Sequence, residues 1–388
     1  MLTTLSIEEL SLKLCLAEDA VTAGELLDAW DQMIVIDTMS FGIMRLSPLI
    51  HHQTQRFGLS SIHQARLKIL YQYWWIAYQH RTNQLKKVAD LFAQQDIPVM
   101  ALKGVGLADY YSQRTLRSMA DMDLLVAPKH HARALKLLLQ NGWAHEYADL
   151  ERKGTVHRFL GLDPNHGVQL IHPQSGVKLD LHRRLGSYTS DRLTQLAWAQ
   201  PAHSAATGLL KPARPIELFM VVLHAVMGDF EDNLNWLVDL AQMSKSLTAE
   251  DWQEAHALAI ADKKETLFLA GINIAADYGI DLPQAITTAA ANSPPRGPIP
   301  RFSDAKPLSA KWLKETIAGR YTVICHRFPD RPAYRRLAIF SAATVVLALV
   351  YLVFMAIPKP APRTGKGKVT GVGTDKEIGT DKEIGTTN

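Results

Sequence analysis

Residues 101–126 read ALKGVGLADYYSQRTLRSMADMDLLV, and the rest of the chain is organised around them. An apolar run leads into Lys103-Gly104. A short amphipathic helix over 105–112 follows, and Asp121-Met122-Asp123 then runs into Leu124-Leu125-Val126. Side chains two apart on a strand point the same way, so a strand through Asp121 and Asp123 presents both carboxylates on one face. Two such carboxylates repel each other unless a positive group lies between them, and a hard divalent cation such as Mg²⁺ prefers oxygen donors. Gly104 and Gly106 lack a Cβ and let the backbone approach a phosphate. The free N–H groups at the start of the helix would face the same ligand. Strand, glycine turn, helix and Asp-x-Asp strand together suit a nucleoside triphosphate and its metal.

Downstream, 168–172 and 177–182 alternate like strands around the turn Pro173-Gln174-Ser175-Gly176, which predicts a β-hairpin. In its second strand Asp180 and His182 share one face, and Val177, Leu179 and Leu181 share the other.

These segments resemble the nucleotidyltransferase superfamily of the DNA polymerase beta type, and more narrowly a bacterial family of uncharacterised nucleotidyltransferases. Leu102-Lys103-Gly104, Tyr110, Leu116-Arg117, Met119 and 121–126 carry the resemblance, and it spans roughly 65–260. Asp180-Leu181-His182-Arg183-Arg184-Leu185 matches a second motif, with Arg183 where the family has Trp. His224, Leu234, Trp236, Leu237, Asp239, Leu240 and Ala241 match a third. The superfamily's usual Gly-Ser or Gly-Gly turn reads Gly104-Val105 here.

The resemblance implies an α+β fold: a polymerase-beta-like core, with a small mixed sheet and helices, flanked by helical regions. It implies metal-dependent transfer of a nucleoside monophosphate from an NTP to a hydroxyl acceptor. Asp121, Asp123 and Asp180 would be catalytic and hold Mg²⁺ or Mn²⁺. Lys103, Gly104 and Arg117 would contact the nucleotide, with a salt bridge inside the domain as the alternative for each basic residue. His182, His224 and Asp239 would serve the acceptor side or the structure. The acceptor stays open among a small molecule, a glycan and a protein.

The chain has 388 residues, a formal net charge of +4 and 21% charged residues, too mild a balance to signal a nucleic-acid binder. Cys15 and Cys325 are far apart and form neither a disulfide framework nor a metal knuckle. Residues 1–96 read as helical, with Ser6 and Glu9 spaced as a capping box and Leu67, Leu70, Tyr71, Trp74 and Tyr78 at helical spacing. The aromatic group at 71–78 reads as a packing face of that helix. Pro98 separates this region from a buried strand at 99–102. A helix over 130–141 stops at Gly142, with its His130 and His131 read as solvated. The expected organisation is 1–96 helical, 97–200 catalytic core, 201–291 helical packing region and 292–336 linker and basic segment.

Residues 337–357 carry no charge and are apolar apart from Ser341 and Thr344, long enough for one transmembrane helix. Nucleotide chemistry then places the catalytic region in the cytoplasm. The tail 358–388 repeats Gly-Thr-Asp-Lys-Glu-Ile and lacks core-forming residues. Two other readings remain. One is a nucleotidyltransferase fold, catalytically weak or inactive, that binds nucleotide or acts as a scaffold; Gly104-Val105 and Arg183 suit it, and the intact aspartates argue against it. The other is a metallohydrolase using some of the 15 histidines, which no His-x-x-x-His pair supports.

Overall fold

Ser6 starts the first helix as its spacing to Glu9 requires. Its Oγ accepts from the Glu9 N–H at 3.1 Å, and the Glu9 carboxylate accepts from the Ser6 N–H at 2.7 Å. Such a cap is worth about 1 kcal/mol. The structure, a computed structural model, describes residues 5–146, 166–227 and 234–293. The chain divides into two compact units, 1–345 and 346–388, and every described residue belongs to the first. The expected span 337–357, nearly all of the linker before it and the repeat after it lie outside the described residues. Among the described residues, no helix is long and apolar enough to cross a membrane.

Four helices come first: α1 (Ile7–Leu16), α2 (Ala20–Met33), α3 (Phe41–Phe57) and α4 (Gln64–Ala93). α4 buries Leu67, Trp74, Leu85, Val88 and Phe92 along one side. Within the aromatic group at 71–78, Trp74 is buried and donates from Nε1 to the Met44 carbonyl at 3.1 Å, whereas Tyr73 and Trp75 stay exposed. The alternating segments follow as β1 (Val99–Leu102), α5 (Lys103–Leu107), β2 (Met122–Val126), α6 (Pro128–Gln140), β3 (Ala144–His145), β4 (Gly167–His172), β5 (Val177–His182), α7 (Asp191–Ala199), β6 (Ala202–His203) and β7 (Leu210–Lys211). The helices α8 (Arg214–Met227), α9 (Asn235–Ser244), α10 (Ala249–Ala261), α11 (Glu265–Asp277) and α12 (Gln284–Ala291) complete the described chain.

The strands form one mixed sheet in the order β3-β4-β5-β2-β1-β7-β6. β1 runs antiparallel to β2, while β2–β5 and β1–β7 are parallel. The hairpin β4–β5 pairs as expected, with Gln169 opposite Asp180. Period-two alternation divides the sheet between two cores. Val99, Ala101, Met122, Leu124, Val126, Val177, Leu179 and Leu181 face one core with α6 and the end of α4. Met100, Leu102 and Leu125 face the other, which the N-terminal helices and α8–α12 share. Asp123, Asp180 and His182 alternate with the first set, so they lie on the second face.

Three local expectations change. The helix at 105–112 is shorter: α5 ends at Leu107, and a 3₁₀ turn takes Ala108–Tyr110. There Asp109 accepts from the Ala205 and Ala206 N–H groups and Tyr110 donates to Glu217, bonds that hold the segment out of helical register. Asp121 precedes β2, which begins at Met122, so strand alternation does not set its direction. His131 is buried, not solvated, with its Nε2 3.1 Å from the Leu181 carbonyl under the sheet.

Candidate active site

The parallel pairing of β2 with β5 sets Asp123 beside Asp180. His182, two residues on, brings Nε2 to 2.8 Å from Asp123 Oδ1. Lys103, at the junction of β1 and α5, donates from Nζ to the same oxygen at 2.7 Å. Its backbone φ of 43° lies in the left-handed region that residues with a Cβ rarely adopt. Such a conformation persists only where the surroundings hold it, here with an ion pair at the end of the side chain. The positive group that two neighbouring carboxylates require is thus supplied by the chain itself.

Burial alone would raise the Asp123 carboxyl, but Lys103 and His182 outweigh it and hold it far below the usual carboxylate range. Asp180 lacks such contacts. Burial first, then the charges of Asp123 and Asp121, push it up to about 7. Asp121 is raised by burial and by Asp123. Lys103 is disfavoured by burial, yet the aspartates keep its ammonium protonated above the ordinary lysine range.

One donor atom each from Asp123, Asp180 and His182 lie within 4.8 Å of one another. Two carboxylates and an imidazole form a donor set that fits a divalent cation, and the Lys103 ammonium already holds positive charge at its edge. The nitrogen donor suits Mn²⁺ or Zn²⁺ better than Mg²⁺, which prefers oxygen throughout. The expected trio was Asp121, Asp123 and Asp180. The structure places Asp121 on the cleft wall outside this group and brings His182 into it.

A cleft opens over Asp123 between the sheet and the helices α8 and α9, lined by Lys103, Asp121, His224, Trp236 and Arg45 among others. His224 is exposed to it. The Lys103 charge lowers its imidazole below the ordinary histidine range, so it is a neutral ring at pH 7. Trp236 is buried with an indole N–H that has no partner among the described residues.

A family described as uncharacterised nucleotidyltransferase matches residues 43–278, more than half of the chain. The chain belongs to that family. No curated protein matches this chain. Among solved structures, a solution structure of the antibiotic-resistance factor ANT(2'')-Ia is similar to it at 12% identity and a TM-score of 0.34, covering 47% of this chain and 90% of that one.

The remaining expected residues divide by partner. Arg117 is spent on structure: its Nε and Nη2 donate to the two Asp239 oxygens at 2.8 and 2.7 Å, and its Nη1 donates to the Ser118 carbonyl. Asp239 also accepts from the Tyr111 hydroxyl at 2.7 Å. Three of its five N–H groups are used and it is 7% exposed, which favours the salt bridge inside the domain over a phosphate contact. Gly104 is explained by packing: a Cβ there would sit 2.9 Å from Arg117 Nη1 and 3.1 Å from Met119 Cγ.

Two arginines of the N-terminal helices were missed. Arg45 on α3 reaches the Ser118 carbonyl, and Arg81 on α4 donates twice to the Ala120 carbonyl at 3.2 and 2.9 Å. With Arg117 they clamp the loop that delivers Asp121. Arg81 carried a signal, since it continues the buried spacing of Trp74, Tyr78 and Leu85. Arg45 carried none.

Proposed function

We propose that this protein transfers a nucleoside monophosphate from an NTP to a hydroxyl acceptor with the help of a divalent cation. The observation that carries the reading is the β2–β5 register, which sets Asp123 beside Asp180 with His182 at the same oxygen. Asp123, Asp180 and His182 would hold the cation, and a bound cation supplies charge neutralisation at the phosphate. Lys103 lies at the same carboxylate and, once a cation takes that place, can turn its ammonium to phosphate oxygens in the cleft. Asp180, set beside Asp123 by the strand register, would accept the acceptor's proton on the carboxylate oxygen that does not hold the cation. The acceptor oxygen then bonds to the α-phosphorus, the bond to the β-phosphate oxygen breaks, and pyrophosphate leaves. The Trp236 N–H, without a partner among the described residues, and the neutral His224 ring offer the acceptor polar contacts in the same cleft. The proposal includes an anchor through 337–357 with the catalytic region in the cytoplasm. An acceptor in the cell envelope would suit that placement.

The test is the full chain with each labelled NTP, Mn²⁺ or Mg²⁺ and cell extract, beside Asp123→Asn. Label moved to an acceptor by the wild type alone establishes the activity and names nucleotide and acceptor class. Metal-dependent NTP binding without transfer favours a nucleotide-binding module, and no binding of NTP refutes the proposal.

A further inference from the structure

Three cations line the cleft among the described residues: Arg45, Lys103 and Arg117. Arg117 has its guanidinium taken by Asp239 and the Ser118 carbonyl. Lys103 is on Asp123. Arg45 differs from both.

Arg45 sits in the first turns of α3, which Ser40 caps by accepting from the Ile43 N–H at 3.4 Å. One edge of its fork is docked. The Asn235 side-chain oxygen, in the amide orientation that turns it towards donors, accepts from Arg45 Nε at 3.0 Å and Nη2 at 3.2 Å. Nη2 also lies 3.5 Å from the Ser118 carbonyl. The Phe41 ring supports the group from 5.7 Å. Nη1 has no hydrogen-bond partner among the described residues, and no carboxylate there forms an ion pair with Arg45. A guanidinium fixed along one edge and open along the other is oriented in advance for an anion with two or more oxygens. Its charge is poorly compensated in this state: burial, then the neighbouring Arg117, depress its pKa, and Asp239 and Asp121 offset that only in part. An incoming anion would supply the missing charge.

We infer that Arg45 binds the terminal phosphates of the nucleotide and the pyrophosphate that leaves, so that α3 of the N-terminal helical region forms one wall of the active site. This rests on the nucleotidyl-transfer reading and adds to it a phosphate-binding residue from outside the sheet. Arg45 contacts the leaving group, and Asn235 is the positioning residue that sets the angle of its fork.

Inorganic pyrophosphate tests this without knowing the base. Binding to the full chain with Mn²⁺ present would be measured by calorimetry for wild type, Arg45→Gln and Arg45→Lys, alongside the four NTPs and the four NMPs. Loss of a charge-assisted pair is expected to weaken pyrophosphate and the preferred NTP about ten- to a hundredfold in Arg45→Gln. Arg45→Lys should lose less, because it keeps the charge and lacks the fork, and it serves if the glutamine variant folds poorly. NMP affinity should not change, since an NMP lacks the terminal phosphates. Equal pyrophosphate affinity in wild type and both variants overturns the role of Arg45 while leaving nucleotidyl transfer standing. An equal loss for NMP and NTP also overturns it, because the residue would then shape the cleft in general. A wild type that binds neither pyrophosphate nor any NTP overturns both readings.

Discussion

Two ion pairs with buried carboxylates flank the cleft, Lys103–Asp123 and Arg117–Asp239, with the same closest N–O distance of 2.7 Å. Their surroundings are opposite. Arg117–Asp239 is sealed: two parallel hydrogen bonds, a tyrosine hydroxyl on the carboxylate and a backbone carbonyl on the guanidinium leave little for a ligand to take. Lys103–Asp123 is a single contact on an oxygen that His182 shares, with the lysine side chain 25% exposed and the backbone at Lys103 strained. A saturated pair holds elements together, and an unsaturated one in a cleft can exchange its partner. The lesson is that pairing distance does not separate structure from function; the remaining donors and acceptors do.

The hardest test of this difference removes the carboxylate from each pair in turn. Asp123→Asn is expected to abolish divalent-cation binding and lower transfer by about a thousandfold or more, with only a small change in urea midpoint because Lys103 can turn to the cleft. Mn²⁺ titration followed by electron paramagnetic resonance and urea unfolding would check both halves. A large loss of stability with metal binding intact would reverse the assignment of the two pairs.

Asp239→Ala should do the opposite. It strands Arg117 without its partner and is expected to cost about 3–5 kcal/mol of stability in urea unfolding. Any part of the protein that remains folded should still bind Mn²⁺. If stability falls by less than about 1 kcal/mol, the sealed pair is not what fastens α9 to the loop before β2.

The open pair can be sharpened through His182. His182→Asn is expected to narrow the preference for Mn²⁺ over Mg²⁺ by about tenfold, since it removes the nitrogen donor. Nitrogen hyperfine coupling on bound Mn²⁺ should vanish in the variant. If wild-type Mn²⁺ shows no such coupling, His182 acts only by orienting Asp123.

A third pair, Lys211–Glu217 at 3.0 Å, completes the comparison and carries the smallest effect. Burial pushes Glu217 up to about 7 against the opposing pull of Lys211 and Tyr110. A folded pKa above the unfolded value of about 4.5 means that the folded state holds its proton more tightly. The contribution is therefore complete below about pH 4.5 and is lost as pH rises through about 7. Wild type should lose on the order of 1–3 kcal/mol relative to Glu217→Gln between those limits. Parallel stability curves for the two proteins across that window would remove the argument.

Much of the site was legible because strand alternation is a local property. Asp180 and His182 fall on one face of β5 whatever else the chain does, and Val177, Leu179 and Leu181 must then face the core. The same reasoning failed at Asp121, since the strand starts one residue later and the alternation that would orient it does not apply. His131 was misjudged because its burial depends on a carbonyl 50 residues away.

By itself, then, the sequence determined the order and kind of the central elements: the capped first helix at Ser6, the buried strand after Pro98, the strand that carries Asp123 and ends at Val126, and the hairpin that carries Asp180. Each follows from spacing, caps and turn residues within a few positions. Only the tertiary structure decided the partners: Lys103 with Asp123, Arg117 with Asp239, and Arg45 entering the cleft from α3. Long cationic side chains carry no local mark of which carboxylate they meet, because that depends on where elements up to 122 residues apart come to rest.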